Sequence, residues 1–103
     1  MIRRDETKVV VIARFLAKEG KDQTLLEALQ SLMEPTHKEP GYIRYELNQN
    51  VENPRILTYV EKFKDQAAFE EHKNASYIRD FFQKVAPELV EQQEVTFHRE
   101  VLK

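Results

Sequence analysis

Between Tyr59 and His72 the chain reads Tyr59-Val60-Glu61-Lys62-Phe63-Lys64-Asp65-Gln66-Ala67-Ala68-Phe69-Glu70-Glu71-His72. The first half alternates apolar and polar residues as a strand does, and the second half repeats at helical spacing. The change of period implies a strand-to-helix corner where an acid, aromatic rings and a histidine converge. Such a set can move a proton. Histidine exchanges one near neutral pH, and a carboxyl group on an apolar face has a raised pKa. Glu61 shares a strand face with Tyr59 and Phe63. It either points inward, neutral or paired with His72 or an arginine, or it is solvated in a register slipped by one residue. His72 follows Phe69 by three residues and shares its helical face. Taken alone, that placement fits a half-buried structural histidine better than a catalytic one.

Other residues could complete a site. Tyr45, Tyr59 and Tyr77 carry hydroxyls that need partners if buried, which suits the edge of a cavity for a flat, oxygen-bearing ligand. Phe63 could form part of the same wall, whereas Phe69, Phe81 and Phe82 read as core. Arg14 and Arg79 could supply cationic donors, although a surface position fits either of them. His37 and His98 stand apart from each other and from His72, without metal-ligand spacing, so no metal site is expected. With no cysteine in the chain, disulfides, thiolate catalysis and cysteine-ligated metals are excluded.

These residues must be held by a small domain. The 103 residues suffice for one domain, and the 33% charged content suits a surface-rich globule. A net charge of −2 with interleaved signs leaves no basic stripe for nucleic acid. No apolar run is long enough for a membrane span, and the N-terminus is a poor signal peptide. A cytoplasmic location follows. Residues 1–7 read as a flexible tail and 8–103 as the single domain.

The β-branched run Val9–Phe15 predicts a strand buried on nearly both faces. Asp22 is positioned to cap a helix whose stripe is Leu25, Leu26, Leu29, Leu32 and Met33. Pro35 should kink or tighten that helix, and Glu39-Pro40-Gly41 should end it and turn the chain. A second strand follows over Tyr42–Asn48, with Ile43, Tyr45 and Leu47 on one face. A third covers Ile56–Phe63, with Leu57, Tyr59, Glu61 and Phe63 on one face. Asp65 should cap a short helix bearing Ala68, Phe69 and His72. Ser76 could cap the next, with Ile78, Phe81, Phe82, Val85 and Leu89 inward. Val95–Val101 alternates as a last strand.

The order β-α-β-β-α-β is the ferredoxin-like arrangement of the α+β class. With helices on one face, the other face of the antiparallel sheet is bare. Val10, Ile12, Arg14, Ile56, Thr58 and Val60 leave apolar surface there, and a homodimer packed sheet to sheet would cover it.

Glu39-Pro40-Gly41-Tyr42-x-x-Tyr45-Glu46-Leu47, followed by the Tyr59–His72 stretch, resembles the antibiotic biosynthesis monooxygenase (ABM) domain family. The likeness runs from about Val9 to Val101. It implies a dimeric α+β barrel of two ferredoxin-like subunits. It also implies oxidation of a quinol or other phenolic aromatic compound by O2, with no cofactor and with electrons supplied by the substrate. His72 then matches the family's histidine and Glu61 its strand acid, the two catalytic candidates. Tyr59, Phe63, Tyr77, Tyr45, Arg79 and Arg14 become the substrate-binding candidates. Phe63 stands where tryptophan is usual, and Tyr77 where a second histidine is frequent. Other branches of the family isomerise or degrade a phosphorylated signal metabolite, and an arginine such as Arg14 or Arg79 could serve that ligand. A binding module for a small aromatic ligand is the reading outside enzymes.

Overall fold

The structure is a computed structural model that describes residues 1–103. Its centre is an antiparallel sheet built from β2 (Val9–Ala17), β3 (Tyr42–Gln49), β4 (Ile56–Phe63) and β5 (Val90–His98). The strand order is β3-β4-β2-β5. Between β2 and β3 lie α1 (Asp22–Gln30) and α2 (Met33–His37). Between β4 and β5 lie α3 (Gln66–Asn74), α4 (Ser76–Asp80), a π-helical turn (Phe81–Val85) and α5 (Ala86–Leu89). This is the expected ferredoxin-like α+β fold.

Strict alternation positions the core. Val9, Val11, Ala13, Phe15 and Ala17 of β2 are buried, as are Leu57, Tyr59, Glu61 and Phe63 of β4. The interposed Val10, Ile12, Ile56 and Val60 are only half-buried, so β2 has one covered face rather than nearly two. Leu25, Leu29 and Leu32 pack onto the buried face, while Leu26 and Met33 sit at its margin.

Several local expectations are corrected. Asp22 is the first helical residue of α1 and makes no cap, the N-cap position being Lys21. Ser76 likewise follows the N-cap, Ala75. Asp65 does cap α3, accepting from the Ala68 amide at 2.8 Å. Pro35 acts upstream of itself. It lacks the N–H that would bond the Ser31 carbonyl, and the helix breaks at Ser31–Leu32, leaving Pro35 in the first turn of α2. In β3 a bulge between Tyr42 and Arg44 inserts Ile43 as an extra residue. Ile43 is therefore turned out of the face it was expected to share with Tyr45, and is exposed. Phe82 is also more exposed than its helical spacing implied.

The last strand begins at Val90, earlier than Val95, and stops at His98. The chain then resumes as β6 (Val101–Leu102), which pairs with β1 (Arg3–Arg4). The N-terminal residues, expected as a loose tail, thus carry a short strand, and the Asp5 amide donates to the Glu100 carbonyl at 2.9 Å. No helix is long and apolar enough to cross a membrane.

Candidate active site

A cavity of about 440 Å³ lies between the sheet and the helices. The register explains why it exists. Across the inner face, Tyr45, Glu61, Val11 and Phe97 form one row, and Leu47, Tyr59, Ala13 and Val95 form the next. Of the two inner strands, β2 contributes the small side chains, Val11 and Ala13, so the floor is hollow between Glu61 and Tyr59 of β4 and the edge strand β5. β5 lies at the sheet edge, and its inward-facing Val95 and Phe97 are 39% and 57% exposed. These two side chains line an uncovered mouth, with Phe82, Gln83, Lys73 and Arg79 facing them from the helices. The π-helical turn places Phe81, Phe82 and Gln83 around this opening, an irregularity common at functional sites.

The inner end of the cavity holds the titratable groups. Tyr45 and Tyr59 stack with ring centres 4.1 Å apart, and Tyr45 meets the His72 ring edge-on at 5.2 Å. The Tyr59 hydroxyl donates to the Leu29 carbonyl. His72 is 4% exposed and its Nε2 lies 3.8 Å from Glu61 Oε1. Its Nδ1 lies 3.0 Å from Glu39 Oε2 and 3.1 Å from Oε1, and Glu39 also accepts from the Tyr77 hydroxyl. An Nδ1–H donated to Glu39 leaves the Nε2 lone pair toward Glu61 and the cavity.

The electrostatics follow from burial. Loss of water pushes the Glu61 pKa from its usual 4.5 up to about 8, with the Glu39 charge adding to the shift. Burial pulls His72 below its usual value, opposed by its hydrogen bond to Glu39. Both tyrosines on the cavity floor are raised by desolvation. Tyr77 is raised to about 12, by burial and by its bond to Glu39. At neutral pH the inner end therefore offers a neutral imidazole beside a neutral carboxyl group. It can accept a proton from an acidic hydroxyl and return one, in a water-poor space.

The structure brings Glu61, His72, Tyr45, Tyr59 and Arg79 to this cavity. Three expected residues stand elsewhere. Phe63 is fully buried behind His72, its ring centre 4.7 Å away, so it supports the imidazole and does not line the cavity. Tyr77 lies beyond Glu39, in a separate outer cleft. Arg14 alternates with Ala13 and Phe15 onto the exposed face of the sheet. Phe69 and Phe81, expected as core alone, line the cavity as well.

Glu39 was not singled out from the sequence as a site residue. No spacing rule links positions 39 and 72. The only signal was its place in Glu39-Pro40-Gly41. Gly41 explains the approach: a Cβ there would lie 2.3 Å from the Ala68 Cβ. The missing side chain lets the turn pack against α3, one helical turn before His72.

Fold and site together define a ferredoxin-like protein with an apolar small-ligand cavity and a histidine between two glutamate side chains at its inner end. Residues 8–84 match the family model described as antibiotic biosynthesis monooxygenase, and the chain belongs to that family. The crystal structure of protein SO0527 from Shewanella oneidensis is similar over 100% of both chains, at 44% identity and a TM-score of 0.98. YcnE of Bacillus subtilis, named a "Putative monooxygenase", is 29% identical over 74% of this chain and 80% of its own. An uncharacterized Synechocystis protein, sll1783, is 24% identical over 86% of this chain, which spans 60% of that relative's length.

Proposed function

We propose that the protein is a monooxygenase that oxidises a quinol or similar phenolic compound with O2, the substrate itself supplying the electrons. The observation that carries this reading is the apolar cavity ending on the His72 Nε2 and Glu61 pair, 3.8 Å apart. A phenol threaded past Val95 and Phe97 would lie on the floor of small residues and direct its hydroxyl at His72. Nε2 takes the phenolic proton, and the electron-rich phenolate is held away from water for attack by O2. Glu61, kept as a neutral acid, relays a proton to the reduced oxygen. Tyr45 and Tyr59 form the floor beside the ring.

The test is oxygen uptake with a panel of reduced quinols. Uptake above the autoxidation rate with at least one member is the expected outcome; none with any member would remove this substrate class. Lys73 and Arg79 favour an anionic substituent at the outer end of the ligand, the feature that the signal-metabolite alternative would share. Lys73 is already paired with Glu70 at 3.2 Å, which leaves Arg79 the stronger candidate.

We also propose that two copies associate through the sheet face opposite the helices. Val10, Ile12, Ile56 and Val60 are half-buried there by strand neighbours, and no helix covers them. Sedimentation at micromolar concentration should report about twice the 12.3 kDa of one chain. A monomer would overturn the association.

A further inference from the structure

The His72–Glu39 hydrogen bond separates two spaces. His72 lines the inner cavity, whereas Glu39 lines an outer cleft of about 340 Å³ with Lys38, Glu71 and Tyr77. The two spaces share no lining residue. The His72 side chain is 5% exposed and that of Glu39 is 18% exposed, so the contact runs from the buried inner end of the cavity toward solvent on its far side. Glu39 is held from two sides, by the imidazole and by the Tyr77 hydroxyl.

We propose that Glu39 is the positioning residue for His72, fixing its Nδ1–H tautomer and passing protons between the inner cavity and the outer cleft. The role rests on His72 being the base of the proposed reaction. When Nε2 takes a proton, the substrate O–H bond breaks, an Nε2–H bond forms and the ring becomes an imidazolium. The Nδ1 proton then moves to the Glu39 carboxylate, leaving both groups neutral, and Glu39 loses it to water in the outer cleft. The same path run backward delivers a proton from the outer cleft through Glu39 to Nδ1 as Nε2 returns its own to the oxygen product, so the ring stays neutral and ends as the Nδ1–H tautomer.

A buried imidazolium needs a nearby anion, because burial alone disfavours the charged ring. Glu61 is a poor candidate, since its own burial keeps it protonated. The groups facing the pair are Glu61 from β4, Tyr45 from β3, Tyr77 from α4, and Lys38 and Glu71 around the outer cleft. Glu39 alone combines contact with Nδ1 and an opening to solvent. It also opposes the lowering of the His72 pKa, so neutralising it should lower that pKa further.

The experiment is nitrogen-15 NMR of the His72 ring across pH in the wild type, Glu39→Gln and Glu39→Asp, with quinol-dependent oxygen uptake on the same samples. The wild-type ring should be the Nδ1–H tautomer. In Glu39→Gln its titration should move to lower pH, the acid limb of kcat should move with it, and kcat should fall by about 10-fold or more with little change in KM. Glu39→Asp should restore part of each effect. An Nε2–H tautomer in the wild type, or an unshifted titration in folded Glu39→Gln, would overturn the inference. The ring measurements need no turnover. If no quinol reacts, the functional reading fails, and an Nδ1–H tautomer with a Glu39-dependent titration would still support the positioning of His72.

Discussion

Replacing His72 with alanine should lower quinol-dependent oxygen uptake by about 10²-fold or more, with a much smaller change in KM. The split follows from the geometry. The ring presents Nε2 to the inner end of the cavity, while most of the apolar lining comes from other residues: Val11, Ala13, Phe69, Phe81 and Phe97. The substrate therefore keeps its surroundings and loses its proton acceptor. Alanine also opens a void next to Phe63 and leaves Glu39 without its imidazole partner, so stability will fall too. Thermal melting separates the two effects, and His72→Gln provides a variant that still fills space but cannot act as a base near neutral pH. Turnover close to wild type in a folded His72→Gln protein would remove His72 from the chemistry.

Glu61→Gln should make the protein more stable in mild base, by an amount on the order of 3–5 kcal/mol near pH 9. The folded chain holds the Glu61 proton up to about pH 8, against a usual value of 4.5. Between those values the unfolded chain has released a proton that the folded chain still binds. Wild-type stability therefore falls as pH rises through that window, and the loss is complete above the folded pKa. Glutamine keeps the shape of the neutral acid and cannot ionise, so its stability should stay flatter. His72 has the opposite sign. Its pKa is depressed, so its neutral ring stabilises the fold above its ordinary value of 6.5, and that stability is lost as pH falls. Melting curves from pH 5 to 9 check both directions. A Glu61→Gln protein with the same alkaline decline as wild type would place the ionisation elsewhere. The same variant should lose turnover, because Glu61 is the group proposed to give a proton to reduced oxygen. Higher stability with lower activity is the expected mark of a strained functional carboxyl group.

The strand-to-helix corner was legible in the sequence because two local periods meet there. Period two over Ile56–Phe63 places Glu61 inward beside Tyr59 and Phe63, and the Asp65 cap sets the phase that turns His72 to the same side. The features that escaped are of three physical kinds. The Ile43 bulge adds a residue without changing the composition of β3, so simple alternation misassigns the face. Phe63 and Tyr77 share the neighbourhood of His72, but a helix face has depth: one lies behind the ring and the other beyond Glu39. Arg14, by contrast, follows its alternation onto the uncovered face, where the pattern of β2 already puts it. Glu39 is the plainest case. It reaches His72 because a chain turn lacking a Cβ packs against α3, and such a contact exists only in three dimensions.

The most direct test is anaerobic binding of a nitrocatechol, a quinol analogue whose nitro group makes the hydroxyl acidic enough for an imidazole to deprotonate, followed by difference spectroscopy in wild type and His72→Gln at a pH just below the free compound's own pKa. Without oxygen the chemistry stops at proton transfer. The expected result is a phenolate spectrum on binding to the wild type, and a bound but neutral phenol in His72→Gln. A bound phenol that stays neutral in the wild type, or a phenolate that forms equally well without the imidazole, would contradict the assignment of His72 as the base at the end of this cavity.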